Sequence, residues 1–179
     1  MERLYFPCRV RLNGADIFLL WYEDERDGFV RTPGGGLVVE ASLDSLAAEA
    51  AELGVELAEA RTEYDFDRVR SWCRGPTAEG VDCQTFLDVW NFFDDLAGLH
   101  TAPGTEYARL SRAAAACYDK LFWGSNLPSV TPPGERFDPS WSPEELAAVG
   151  QVFEAGLGCL EADLSGRNPH GVPQGGDDP

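Results

Sequence analysis

The sequence predicts an α+β fold: an N-terminal antiparallel sheet of three to four strands with one helix, followed by a mostly helical second half packed on it. Three observations carry this. Short apolar runs separated by turn residues fill the first forty positions. A helical stripe rich in large aromatic rings, Phe86, Val89, Trp90, Phe93 and Ala97, dominates residues 82–100. Ser142-Pro143-Glu144-Glu145 then opens a last long helix with Ser at the N-cap, Pro at N1 and Glu at N3.

Residues 3–11 read as a first strand, and Pro7 suits an edge position because it cannot donate to a ladder. Asn13-Gly14 is a strong hairpin signal leading into residues 16–22, DIFLLWY, a central strand. The charged turn 23–28 returns to a third strand at 29–32, and a Gly-rich turn leads to a short fourth at 37–40. Ser42 caps a helix with apolar Leu43, Leu46, Ala47, Ala50 and Leu53, which Gly54 stops. Residues 55–57 suit another short strand, and Phe66, Val69 and Trp72 or Cys73 a short helix within 61–74.

The aromatic stripe makes residues 82–100 the helix on which the rest packs, with Asp82 as its N-cap. Residues 106–122 read as a second long helix, apolar at Tyr107, Leu110, Ala114, Cys117 and Leu121. A Pro-rich irregular stretch follows. The last helix runs to about Leu164, where Gly150, Gly156 and Gly158 each cost about 1 kcal/mol and imply close packing or a break near Gly156. Residues 1–164 thus read as one globular domain, and 165–179, rich in Gly, Pro and Asp, as a disordered tail.

The chain has 179 residues, 44% of them hydrophobic, enough for one sizeable core. Its charge stands out: 31 acidic against 14 basic residues give −17, which disfavours nucleic acid and anionic membrane and favours a basic partner. No Lys or Arg lies between Arg31 and Arg61, Arg74 and Arg109, or Arg136 and Arg167, so the helix surfaces should be acidic. Five widely spaced cysteines without a C-x-x-C pair argue against a disulfide framework or zinc site and fit a reducing cytoplasm. The N-terminal residues lack the pattern of a secretory signal, and no apolar run approaches about 18 residues.

Residues 34–55 resemble a Nudix box, in which clustered carboxylates hold magnesium against a diphosphate. Gly34, Glu40, Glu49 and Glu52 fit that pattern. Ala48 replaces the required Arg, Leu53 replaces a Glu, and Gly54 arrives one residue early, so no competent metal site is expected. His100 and His170 are the only histidines and are far apart in sequence, which leaves neither a His-based triad nor a His metal cluster. Cys117, mid-helix among apolar residues, reads as core. Asp94 and Asp95, with Asp88 one or two turns earlier, are an acid–base or metal candidate. Adjacent helical residues point about 100° apart, however, which favours an acidic partner-facing edge. Asp65 and Asp67, and the turn acids Glu23, Asp24 and Asp27, offer further contacts to a basic partner. Tyr118, Trp123 and Asn126 sit at the mouth of the Pro-rich loop, either as packing or as a recognition surface. No catalytic residue and no cofactor is assigned.

Four features recur in order: the FLLWY strand with its charged turn, LVV strand and Ser-led helix; Tyr64-Asp65-Phe66-Asp67; Cys83 with Leu87-Asp88-Val89-Trp90-Asn91 and Asp94 or Asp95; and residues 118–124, YDKLFWG, with Asn126-Leu127-Pro128, Thr131-Pro132, Trp141 and Glu144-Glu145. In this the chain resembles small cytoplasmic immunity-type proteins encoded beside secreted or contact-delivered bacterial toxins. The resemblance spans roughly residues 15–160. It implies a non-enzymatic inhibitor of one cognate toxin, often a basic nuclease, and the acidic charge agrees with it. The alternatives are a scaffold or regulatory protein for another basic partner and a degenerate Nudix-like hydrolase.

Overall fold

A computed structural model describes residues 3–98 and 104–166. Its strands are β1 (Leu4–Leu12), β2 (Ala15–Glu23), β3 (Gly28–Phe29), β4 (Val39–Glu40) and β5 (Thr62–Asp65). Its helices are α1 (Leu43–Glu52), α2 (Phe66–Cys73), α3 (Cys83–Ala97), α4 (Glu106–Ala113), α5 (Ala115–Gly124) and α6 (Pro143–Leu164). The class is α+β, as the apolar patterning implies.

β1 and β2 pair antiparallel from Leu4↔Glu23 to Leu12↔Ala15. Asn13 and Gly14 make the two-residue turn between them, both at positive φ (54° and 76°), the primed-turn geometry that Asn-Gly favours. The rest of the sheet departs from a simple meander. β4 does not extend the sheet beyond β3 but pairs with β2 at Phe18 and Leu19, while β3 pairs with β2 at Trp21 and Tyr22. The two short strands therefore form one line along the same flank of β2, interrupted by a turn that the Arg31–Leu37 bridge closes.

β5 adds to the other flank of β1 in parallel, Cys8↔Thr62 to Arg11↔Asp65, which makes the sheet mixed and puts β1 inside it. Pro7 is therefore not on an edge strand. The Tyr5 carbonyl accepts from the Ala58 N–H, so alternation turns Pro7 to the same flank. There it falls between the Tyr5–Leu57 bridge and the start of β5 pairing, where no ladder bond is required of it.

Alternation along β1 and β2 separates two faces. Cys8, Val10, Leu12 and Leu19 join the main core with α2, α3 and α6. Leu20 packs on the opposite face with Val38 and Leu46 of α1 in a small second cluster. Ser42 caps α1 as expected, but Leu53 lies beyond the helix and is exposed. In α3, capped by Asp82, the stripe residues are all buried, and Phe92, Leu87 and Leu96 bury a second flank. Phe66, Phe92, Phe93 and Phe153 pack ring against ring at the centre.

The predicted helix over 106–122 is two. Ala114 leaves helical geometry (φ −100°, ψ 18°), which lets α4 pack on α6 while α5 runs along α3. α6 runs unbroken through Gly156. A Cβ there would lie 2.4 Å from the Phe93 ring, so the glycine serves close packing. All five cysteines are free, with Cys8, Cys73 and Cys117 buried. Leu99 and His100 at the end of the predicted central helix, and residues 167–179 of the predicted tail with His170, lie outside the described residues.

Candidate functional site

α3 crosses the main-core face of the sheet with its first turns near β5 and its last near β2 and β3. Two hollows flank its outward side. One, about 460 Å³, lies between α2, α3 and β5, where Tyr64, Trp72 and Phe86 meet Glu63, Asp65, Asp82 and Asp88. The other, about 400 Å³, lies where Trp21 and Phe29 face Asp27, Asp88, Asp94 and Asp95. Tyr64 and Asp88 line both, so the two hollows are neighbours along α3, and together they are called the groove. Seven acidic residues and one basic one, Arg68, line it.

Each acid has a distinct setting. Asp95 accepts from the Trp21 indole N–H at 2.9 Å, which ties the helix to β2. Burial raises the Asp95 carboxyl to about 6, against the opposing pull of the Trp21 bond, and the charges of Asp27 and Asp94 raise it further. Asp94, on the next face of the helix, accepts from the Tyr107 hydroxyl at 2.7 Å. The two adjacent carboxylates thus turn to different flanks, as their spacing requires. Asp88 is half-buried, accepts from the Gln84 amide at 2.8 Å, and is shifted upward by burial. Asp65 and Asp82 cap α2 and α3 through the Arg68 and Thr85 backbone N–H groups.

The remaining predicted contacts are scattered. Asp67 places both carboxylate oxygens on the hairpin, accepting from the Asn13 and Gly14 N–H groups at 2.7 and 2.8 Å. Asp24 pairs with Arg3 at 2.8 Å, and Glu23 ends β2 at the surface. The Tyr118 hydroxyl donates to Asn91 Oδ1 at 2.9 Å, which brings Tyr118 to the rim of the groove. Asn126 does not join it: its amide donates to the Gly124 and Phe137 carbonyls and accepts from the Phe137 N–H, pinning the Pro-rich loop. Trp123 is half exposed and stacks edge-on with Phe122, and it lines neither hollow.

The ion pairs sharpen the charge distribution. Arg3, Arg9, Arg11, Arg31, Arg61, Arg70, Arg109, Lys120 and Arg136 each pair with a carboxylate of this chain. Among the groove acids, Glu63 takes part, with Arg9 and Arg61. Asp27, Asp65, Asp82, Asp88 and Asp95 enter no ion pair among the described residues. Acids such as Glu40, Asp44, Glu49 and Glu52 also enter no ion pair among the described residues, so what distinguishes the groove is that its acids converge around aromatic side chains with a single cation, Arg68.

Among the described residues no group of three His, Cys, Asp or Glu side chains is placed to hold a metal ion. Glu40, Glu49 and Glu52 do not assemble into such a group. No described helix is long and apolar enough to cross a membrane. Sequence reasoning placed Asp82 only as a helix cap and did not single out Trp21, Glu63, Trp72 or Asn91 as site residues. The alternation of β2, which sends Trp21 to the Leu19 side, is the signal that could have found the tryptophan. No family model matches the chain, and neither a curated protein nor a solved structure matches it.

Proposed function

We propose that the chain is a non-enzymatic binding protein whose α3 groove takes a basic partner protein, in the manner of the immunity-type inhibitors its motifs resemble. One observation carries the reading: the two hollows along α3 bring seven acidic residues together with aromatic side chains and a single cation, Arg68. A negative groove with aromatic walls attracts a cationic surface from a distance and offers ring faces to Arg and Lys once it arrives. The net charge of −17 acts in the same direction over longer range. A toxin whose own groove binds nucleic acid supplies the complementary charge.

The test is capture from lysate of the source cells at low salt. Three baits are compared: wild type, a groove variant with Asp27→Asn, Asp88→Asn and Asp95→Asn, and a control variant with Asp44→Asn, Glu56→Gln and Glu59→Gln. Wild type and control should retain the same basic protein into moderate salt, and the groove variant should lose it. Equal retention by all three would remove the groove from the account. The identity of the captured protein separates a toxin from another basic client.

A further inference from the structure

β5 ends the sheet, and its outer edge opens beside the groove. Which backbone groups it presents follows from the register. Tyr5 faces the β5 flank, since its carbonyl accepts from the Ala58 N–H, and alternation turns Arg9 and Arg11 the same way. In the parallel ladder Arg9 opposes Glu63, so the bonds of Arg9 go to the neighbours of Glu63, which are Thr62 and Tyr64. The N–H and C=O of Glu63 are left pointing outward, and no turn, loop or cap bond among the described residues reaches them. An unpaired edge of this kind is a template for another strand. Tyr64, opposite Val10, projects to the helical face and lines both hollows. A strand laid on this edge would therefore send every second side chain over the acids of α3.

We propose that the partner's contact element is an extended basic segment that adds to β5 as a further strand, with alternate Arg or Lys side chains entering the groove. This rests on the basic-partner reading and specifies its mode. Charge complementarity selects the occupant. A second copy of this chain would bring its own acidic edge against Glu63 and Asp65, and like charges oppose that pairing. In strand addition the main-chain bonds supply affinity and the alternate side-chain pockets supply selectivity.

The experiment uses the full-length protein and a ten-residue peptide of alternating Arg and Thr at low salt. Two further versions of the peptide carry N-methyl groups on either the Arg amides or the Thr amides, at unchanged charge. The parent peptide should bind, and Asp88→Asn with Asp95→Asn should weaken it. One N-methylated version should bind at least about tenfold more weakly, because it loses its bond to the Glu63 carbonyl and sets a methyl group against the edge, and the other within about twofold of the parent. The Glu63 amide should exchange more slowly with solvent in the complex, while the Tyr64 amide, already bonded within the sheet, should change little. Equal affinity of both N-methylated peptides with unchanged Glu63 exchange would overturn strand addition while leaving the groove as a charge site. No binding by the parent peptide, or binding indifferent to the Asp88 and Asp95 substitutions, would contradict the basic-partner reading itself.

Discussion

Asp95 stands at the junction of folding and charge in this molecule. It holds the Trp21 indole and is itself held in a half-buried, negatively charged setting, which raises its folded pKa to about 6. An acid raised on folding binds its proton more tightly in the native state than in the unfolded chain. Its ionisation therefore costs stability above pH 6, and that cost disappears as pH falls toward the unfolded value near 4. Asp95→Asn keeps an acceptor for the indole and removes the charge. At pH 8 this variant should be more stable than wild type by up to about 3 kcal/mol in urea unfolding, and the difference should vanish below about pH 4. A constant difference across that range would mean that Asp95 ionises freely. Asp67 shows the opposite use of a carboxylate: the backbone N–H groups of Gly14 and Asn13 hold its pKa down, so it supports the fold when ionised. The two aspartates look equivalent in the sequence. What separates them is a partner more than fifty residues away in each case, Trp21 for one and the hairpin for the other.

Among the elements, α3 and α6 define the core, and their contact depends on one missing side chain. The Phe93 ring lies where a Cβ on Gly156 would be, and it is enclosed by Phe66, Tyr107 and Phe153. Gly156→Ala should therefore destabilise the protein by about 1–3 kcal/mol despite the gain in helix propensity, and Phe93→Leu should recover part of the loss. Gly158, two positions on, has open space around it, and Gly158→Ala should stabilise by up to about 1 kcal/mol. Thermal or urea unfolding of the three variants checks both signs. The sequence made these helices legible because local signals suffice for them: a cap at Asp82, an aromatic stripe at helical spacing, and the Ser-Pro-Glu-Glu start of α6. The Asn13-Gly14 hairpin was legible for the same reason. β5 was not. A four-residue strand gains its identity from pairing with β1 across more than fifty residues, and nothing within TEYD announces a parallel partner. The break at Ala114 was equally hidden, because a run of alanines is good helix former on both sides of it. The turn is imposed by the two different helices that α4 and α5 must cover.

At the scale of the whole molecule, an excess of negative charge becomes a direction. Most described cations are spent on carboxylates at the sheet, at the hairpin and on α6, and a group of acidic residues converges with aromatic side chains along α3 beside an open strand edge. The groove was only half visible in the sequence. Asp88, Asp94 and Asp95 were chosen for their place on a helix, while the strand that brings Glu63 and Tyr64 beside them could not be. The proposed function requires this groove to steer and receive a basic partner. The most direct measurement of it is the association rate of the captured partner, taken by stopped flow from low to moderate salt with wild type and with Asp27→Asn, Asp88→Asn, Asp95→Asn. Wild-type association should fall steeply with salt. The variant should associate more slowly at low salt with a flatter dependence, so that the two curves converge as salt rises. Identical rates at every salt concentration would contradict that requirement.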